Sequence, residues 1–288
     1  MSNAVAIMGF GESAQTFVGD RRWRGQAFAY DIKTDTPATR AAKLADYARL
    51  RATPCENAAQ AVHEAATILS LVTADQAAIA AAAAAAHLKT GALFLDMNSV
   101  APSTKRSAAA HVRAQGGRYV DVAIMAPVRP AALEVPVLVS GPDAPEAVAA
   151  LQALGFAQVR EAGDEIGRAS RIKMVRSVLI KCVEAAAAEC LLAADAGGVT
   201  EDVLASLSPA WREQLNYNLE RVLAHGLRRA AEMEEVALTL RDLGVEPLLT
   251  ERAAARQREL GALQISPAPE ALADKLARIR TATKANHT

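Results

Sequence analysis

The sequence reads Ala4-Val5-Ala6-Ile7-Met8-Gly9-Phe10-Gly11-Glu12-Ser13-Ala14 close to its start, a short apolar run broken by Gly-x-Gly-x-x-Ala. An apolar strand that turns on glycine and opens a helix presents bare backbone to a pyrophosphate. Gly9 permits the tight turn, and Gly11 has no Cβ to hold phosphates off. Small Ala14 lets the helix pack on its strand, while the helix N-terminus adds unpaired N–H groups and a positive dipole end. Glycine turns after strands are common, so the context carries the weight. A strand precedes the turn, helix-compatible residues follow it, and an acid closes the next strand, Gln26-Ala27-Phe28-Ala29-Tyr30-Asp31. Asp31 lies about 20 residues past Gly11, where a carboxylate accepts from a ribose 2′-hydroxyl. The reading is a dinucleotide site. Asp31 favours NAD, since a carboxylate repels a 2′-phosphate; nearby Lys33 softens that preference and keeps NADP as the alternative.

Outward from this turn the first half alternates. Strand-like runs occur at 5–8, 27–31, 67–72, 92–96, 119–124, 135–140 and 157–160, with helix-length, Ala-rich segments at 13–22, 39–51, 57–65, 75–89, 103–115 and 145–154. Such alternation implies parallel crossovers and an α/β doubly wound parallel sheet of Rossmann type. Past about residue 165 the strand signal ends. Residues after Gly167 run to Ala196 without Pro or Gly, predicting one long helix that Gly197-Gly198 terminates. Helices are expected at about 200–207, 211–225, 227–243, 247–262 and 268–280. The expected domains are 1–165, binding a nicotinamide dinucleotide, and 166–288, an all-α substrate and dimerisation domain joined through the long helix.

Composition narrows the function. The chain is 288 residues, 51% hydrophobic but only 4% aromatic, so its cores are built from Ala, Leu, Val and Ile. Thirty-two basic and 32 acidic residues cancel, which favours neither nucleic acid nor an anionic membrane. Cys55, Cys182 and Cys190 are too few and irregular for a disulfide framework or zinc site, and read as small buried residues. The nearly all-Ala run from Ala77 to His87 is too short to span a bilayer. A strand starting at about residue four leaves no room for a signal peptide, so a cytoplasmic location is expected. No His, Asp or Glu cluster has metal spacing, and no metal is expected.

A second constellation lies on the long helix. At 3.6 residues per turn, Lys173, Ser177, Lys181 and Glu184 fall on one stripe, with Met174, Val175, Val178, Leu179 and Val183 opposite. Alone, this is an ordinary amphipathic helix with a solvated polar face. On a helix joining two domains, the polar face is expected to border the ligand cleft.

Dinucleotide turn, then Asp96-Met97-Asn98-Ser99-Val100-Ala101-Pro102, then Gly167-(x5)-Lys173-(x3)-Ser177: this order resembles the β-hydroxyacid dehydrogenase superfamily, which includes 3-hydroxyisobutyrate and 6-phosphogluconate dehydrogenases. Its members carry D-x-S-T-x-x-P after the fifth strand and G-x-G-x-x-x-K-x-x-x-N on the interdomain helix. The runs from Lys173 to Lys181 and from His225 to Glu235 are closer to the branch with a helical C-terminal domain of undefined function. The resemblance implies an NAD(P)-dependent oxidoreductase that moves a hydride between nicotinamide and a hydroxy acid or related alcohol or carbonyl compound. It implies cofactor contacts at Gly9, Phe10, Gly11, Glu12, Ser13, Ala14, Asp31, Thr73, Asp75 and Asn98. Ser99 would face the substrate, Lys173 would carry the proton, and Ser177 would orient the substrate where the family usually has Asn. Lys181 and Met125 would also line the substrate site.

Two departures stand out. Ser177 is shorter than Asn, and the family's D-A-P-V-S-G-G loop becomes Asp121-Val122-Ala123-Ile124-Met125-Ala126-Pro127. Donors to a substrate carboxylate are thereby lost, which points to a bulkier or less acidic substrate. His225 and Arg229 sit among Arg228, Glu232 and Glu235, a pattern of i,i+4 surface pairs; the alternative is that either binds a substrate anion, in its own subunit or a partner's. Trp211 and Tyr217 read as core or dimer-interface residues. A homodimer built by the helical half is expected. The competing functions are a nucleotide-sensing protein without turnover, an imine-reductase-like enzyme and a methyltransferase. The last is disfavoured by the lysine helix.

Overall fold

The computed structural model describes residues 4–285. In the first half, β1 (Ala4–Met8), α1 (Glu12–Val18), β2 (Gln26–Tyr30), α2 (Pro37–Leu50), β3 (Thr53–Pro54), α3 (Ala58–Val62) and β4 (Thr67–Ser70) come first. They are followed by α4 (Ala77–Ala85), β5 (Leu93–Asp96), α5 (Pro102–Ala114), β6 (Arg118–Ile124), β7 (Val137–Ser140), α6 (Ala144–Ala153) and β8 (Val159–Glu161). The remainder is helical: α7 (Arg168–Ala196), α8 (Thr200–Ala205), α9 (Pro209–Asp242), α10 (Leu248–Ala262) and α11 (Leu272–Ala285). The chain divides into two compact units, the first ending at Met174 and the second starting at Val175. No helix of the described residues is long and apolar enough to cross a membrane.

The sheet of the first unit has the order β3-β2-β1-β4-β5-β6-β7-β8. Chain order reverses between β1 and β4, the switch point where open α/β sheets bind ligands. Period-two alternation splits each central strand between two cores. Val5 and Ile7 of β1, with Leu93 and Leu95 of β5, join Phe17, Tyr47 and Leu151 on one face. Ala6, Met8 and Phe94 join Val62, Ala84 and Val112 on the other. Both faces are covered, which explains strands that read as continuous apolar runs. The alanines of α4 bring its backbone close to the sheet: Ala81 and Ala84 are wholly buried.

Several expectations are corrected. The sheet is mixed, because β7 runs antiparallel to β6; the connection between them holds only the single 3-10 turn Ala132–Glu134, too short for a parallel crossover. The two-residue edge strand β3 pairs with β2 and has no apolar run to announce it, with Pro54 tolerated at an edge. Gly226 does not split the helices expected at 211–225 and 227–243: α9 is continuous through it. A Cβ on Gly226 would stand 2.3 Å from the Gln257 carbonyl oxygen and 2.7 Å from Gly261 Cα. The glycine is there for close packing of α9 on α10. Only Cys55 of the cysteines is buried, and Trp211 and Tyr217 are half exposed rather than core.

The packing of α7 excludes a solvated polar face. Its polar stripe is inside: Ser177, Lys181 and Glu184 are buried, whereas Val175, Leu179 and Ile180 are exposed. In the second unit, Leu191, Leu219, Val222, Leu260 and Leu276 form a separate core. Beside it, Lys181 Nζ donates to Glu232 Oε2 at 2.5 Å, and Arg229 pairs with Glu184. Ion pairing makes burial of the polar face tolerable.

Candidate functional site

The glycine turn sits at the C-terminal end of β1, at the switch point. Gly9 has φ +86°, and a Cβ on it would lie 2.6 Å from the Leu71 carbonyl oxygen, so only glycine fits. Its N–H donates to the Tyr30 carbonyl at 2.8 Å. A Cβ at Gly11 would meet nothing within 4 Å. The space above the turn is open, and a phosphate has room to approach bare backbone there. Gly11 is the N-cap of α1 with no capping side chain. Glu12 is exposed, Ser13 half-buried and Ala14 buried against the sheet.

Phe10 anchors this turn. Its ring is buried 4.9 Å from that of Tyr47, and its carbonyl accepts from Lys43 Nζ at 2.7 Å. Its N–H donates to Asp31 Oδ2 at 2.7 Å. Asp31 Oδ1 accepts from the Lys33 amide at 3.0 Å, and Lys43 Nζ lies 3.9 Å from Oδ2. Each carboxylate oxygen has room for one more donor. Asp31 therefore holds the turn in shape while keeping acceptor capacity for a ribose hydroxyl. Thr73 and Asp75 are exposed just past β4. A hydrogen bond from Thr73 holds the Asp75 carboxyl below the usual carboxylate range.

The second cluster lies at the end of β5. Asn98 Oδ1 accepts from the Val72 amide at 2.7 Å, and its Nδ2 donates to Ser70 Oγ at 2.9 Å and Asp96 Oδ1 at 2.7 Å. That side chain is committed to pinning the loop after β4 to the loop after β5. Next to it, Ser99 Oγ accepts from Lys173 Nζ at 2.6 Å. Lys173 thus reaches the Asn98–Ser99 loop from the first turns of α7. Met125 packs on Ala123, Leu138 and Ala169 and offers no hydrogen-bond donor from its side chain.

Ser177 is buried one turn further along α7. In the second unit, Lys181 and Arg229 are engaged by carboxylates, so an anion bound by either must displace Glu232 or Glu184. Burial pulls Lys181 below the ordinary lysine value against the attraction of Glu232, and it lifts Glu184. Arg229 Nε is buried without a hydrogen-bond partner. His225 is half-buried on α9. Among the described residues no group of three or more His, Cys, Asp or Glu could hold a metal ion. The buried polar residues Lys105, Tyr119 and Ser170 carry no site signal in the sequence, and Asp121, which joins them, is marked there only by the substrate-loop resemblance. Lys105 and Ser170 lie in polar stretches at the starts of α5 and α7, Tyr119 and Asp121 in the apolar strand β6, and only the tertiary fold brings them together.

The family model described as the NAD binding domain of 6-phosphogluconate dehydrogenase matches residues 28–157. The family model of a domain of unknown function (DUF1932) matches residues 194–260. A conserved hypothetical protein from Sinorhizobium meliloti, solved by crystallography, is 35% identical over 98% of this chain and 97% of its own, with a TM-score of 0.68. A conserved protein of unknown function, described as structurally similar to 3-hydroxyacid dehydrogenases, is 29% identical over 91% of this chain and 98% of its own, with a TM-score of 0.65. The 3-hydroxyisobutyrate dehydrogenase of Mycobacterium tuberculosis, solved with L-serine, shares the fold at 16% identity, over 98% of this chain and 99% of its own, with a TM-score of 0.68. No curated protein matches the chain. A Rossmann-type unit ending in the Lys173 helix, followed by a matching helical domain, makes the chain a member of the 6-phosphogluconate-dehydrogenase-like superfamily, in the branch that carries the C-terminal domain of unknown function.

Proposed function

We propose that this protein is an NAD(P)-dependent oxidoreductase that interconverts a hydroxy acid, or a related alcohol, and its carbonyl form, with Lys173 as the proton carrier. The observation that carries the reading is the 2.6 Å contact between Lys173 Nζ and Ser99 Oγ, in a unit whose switch point bears an open glycine turn. When bound, the dinucleotide supplies or accepts the hydride. Gly9 and Gly11 would offer bare backbone to its phosphates, and Asp31 would accept from its adenosine ribose.

The proton belongs to the protein. In the reducing direction Lys173 Nζ would give its proton to the oxygen that gains charge as the carbonyl is reduced; in the oxidising direction it would take the hydroxyl proton. Ser99 Oγ accepts from Nζ, so its own hydrogen remains to be donated to a substrate oxygen. Met125, packed on apolar neighbours, supplies no donor to a carboxylate, which supports a substrate less acidic than a simple 3-hydroxy acid.

Binding of NADH and NADPH measured by the fluorescence of their reduced nicotinamide, followed by a panel of hydroxy acids and alcohols with NAD or NADP read at the reduced-nicotinamide absorbance, tests this. Dinucleotide-dependent turnover abolished by Lys173→Ala is the expected result. Tight binding without turnover of any panel member would instead favour a nucleotide sensor.

A further inference from the structure

Sheet register sets Ser70 beside Asp96, Asp96 beside Asp121, and Asp121 beside Ser140, a polar row across four adjacent strands. All four are fully buried. Into this row reaches Lys105 of α5, itself 0% exposed. Its Nζ donates to the Asp96 carbonyl at 2.6 Å and lies 2.9 Å from Asp96 Oδ1 and 3.4 Å from Asp121 Oδ1. Three ammonium hydrogens thus face three oxygens, and one positive charge is shared by two carboxylates.

The remaining acceptor sites of those carboxylates are spent on two arms. Asp96 Oδ1 takes the Asn98 amide at 3.0 Å and Asn98 Nδ2 at 2.7 Å, fixing the loop that continues into Ser99; Tyr119 donates to Asp96 Oδ2 at 2.6 Å. Asp121 takes the Ser170 amide at 2.9 Å and the Ser170 hydroxyl at 2.6 Å, fixing the first turn of α7, three residues before Lys173. Ser140 Oγ, bonded to Asp121 at 3.2 Å, accepts the Ala169 amide at 2.9 Å.

We propose that Lys105 is a positioning residue for Lys173: by clamping Asp96 to Asp121 it holds the Ser99 loop and the start of α7 at one separation, the one that puts Nζ on Ser99 Oγ. A buried ion cluster contributes little net stability compared with apolar packing of the same volume, because desolvation offsets the attraction. What it adds is fixed geometry. The inference rests on the proposed function only for its consequence for turnover; the geometric claim stands on the contacts alone.

The test reads Lys173 without any substrate. Acetylation of the full-length protein by acetic anhydride, quantified by peptide mass spectrometry, compares Lys173 with exposed Lys33 and Lys89 as internal standards. Wild-type Lys173 labels slowly. Lys105→Met and Ser170→Ala raise its relative labelling about tenfold, the effect of losing a hydrogen bond to a charged group, while Ser170→Thr stays at the wild-type rate. Should Lys105→Met fail to fold, Ser170→Ala decides the matter, since it deletes one hydroxyl from a protein whose cooperative melting is checked in parallel. Unchanged Lys173 labelling in folded Ser170→Ala, or wild-type Lys173 labelling as fast as Lys33, overturns the proposal. Either result leaves the catalytic reading to be judged by Lys173→Ala, and an active Lys173→Ala protein leaves the positioning claim intact.

Discussion

Lys173 Nζ donates to Ser99 Oγ across 2.6 Å, joining residues 74 positions apart in the chain. The first belongs to the opening turns of α7, the second to the loop that follows β5. On the proposed chemistry, this pair is where proton transfer meets substrate orientation.

Lys173→Ala is expected to lower turnover by roughly 10²–10⁴-fold, the range for a lost general acid–base group, with dinucleotide affinity unchanged. Lys173→Arg restores nothing, because a guanidinium stays protonated at any working pH. Steady-state kinetics beside fluorescence titration of the dinucleotide checks both statements. Turnover near wild type in the alanine variant would move the proton role to another residue.

Asp31 predicts a cofactor preference. NAD should bind more tightly than NADP, and Asp31→Ala should weaken NAD binding by about 1–3 kcal/mol through loss of a charged acceptor. The same change frees the Phe10 and Lys33 amides, so a lower melting temperature accompanies it. Calorimetric titration with each dinucleotide settles the order of affinities, and a preference for NADP would refute it.

The exposed side of α7 predicts a dimer. Leu179 is 68% exposed, with Val175 and Ile180 beside it, and burying one such leucine is worth roughly 1.5–3 kcal/mol per copy. Light scattering at micromolar concentration should report twice the 30.2 kDa chain mass, and Leu179→Glu should return the monomer. A monomeric wild-type protein sinks the idea.

Acid sensitivity has a defined contributor away from the site. Arg22 donates to both Asp20 oxygens, at 3.0 and 2.7 Å, and holds the Asp20 carboxyl down at about 2. An acid whose folded pKa is depressed adds stability that is present above its unfolded value and lost as pH falls through the folded one. Stability should therefore fall between about pH 4 and pH 2, and Asp20→Asn should flatten that slope in urea titrations run across the range.

Much of this was legible in the linear sequence. The turn at Gly9 and Gly11, the alternation through β8 and the uninterrupted helix from Arg168 to Ala196 follow from local rules, in which glycine, strand period and helix period act over a few residues, whereas the candidacy of Lys173 comes from the family resemblance. Gly226 shows where local rules mislead: by itself it reads as a helix break, whereas its meaning is the approach of Gly261, a contact made by another helix.

The orientation of α7 belongs to tertiary structure alone. Periodicity put Ser177, Lys181 and Glu184 on one face and Val175 and Leu179 on the other, but a period cannot say which face is packed. Glu232 and Arg229, 51 and 45 residues further along the chain, reach Lys181 and Glu184 and make burial of the charged face possible, leaving leucine and valine outside. Lys105 follows the same logic. Nothing near it in sequence marks it, because the carboxylates that make a buried ammonium tolerable lie on two strands that only the sheet register brings together. A sequence declares which residues share a face; whether a buried charge finds its partner is decided by residues far away along the chain.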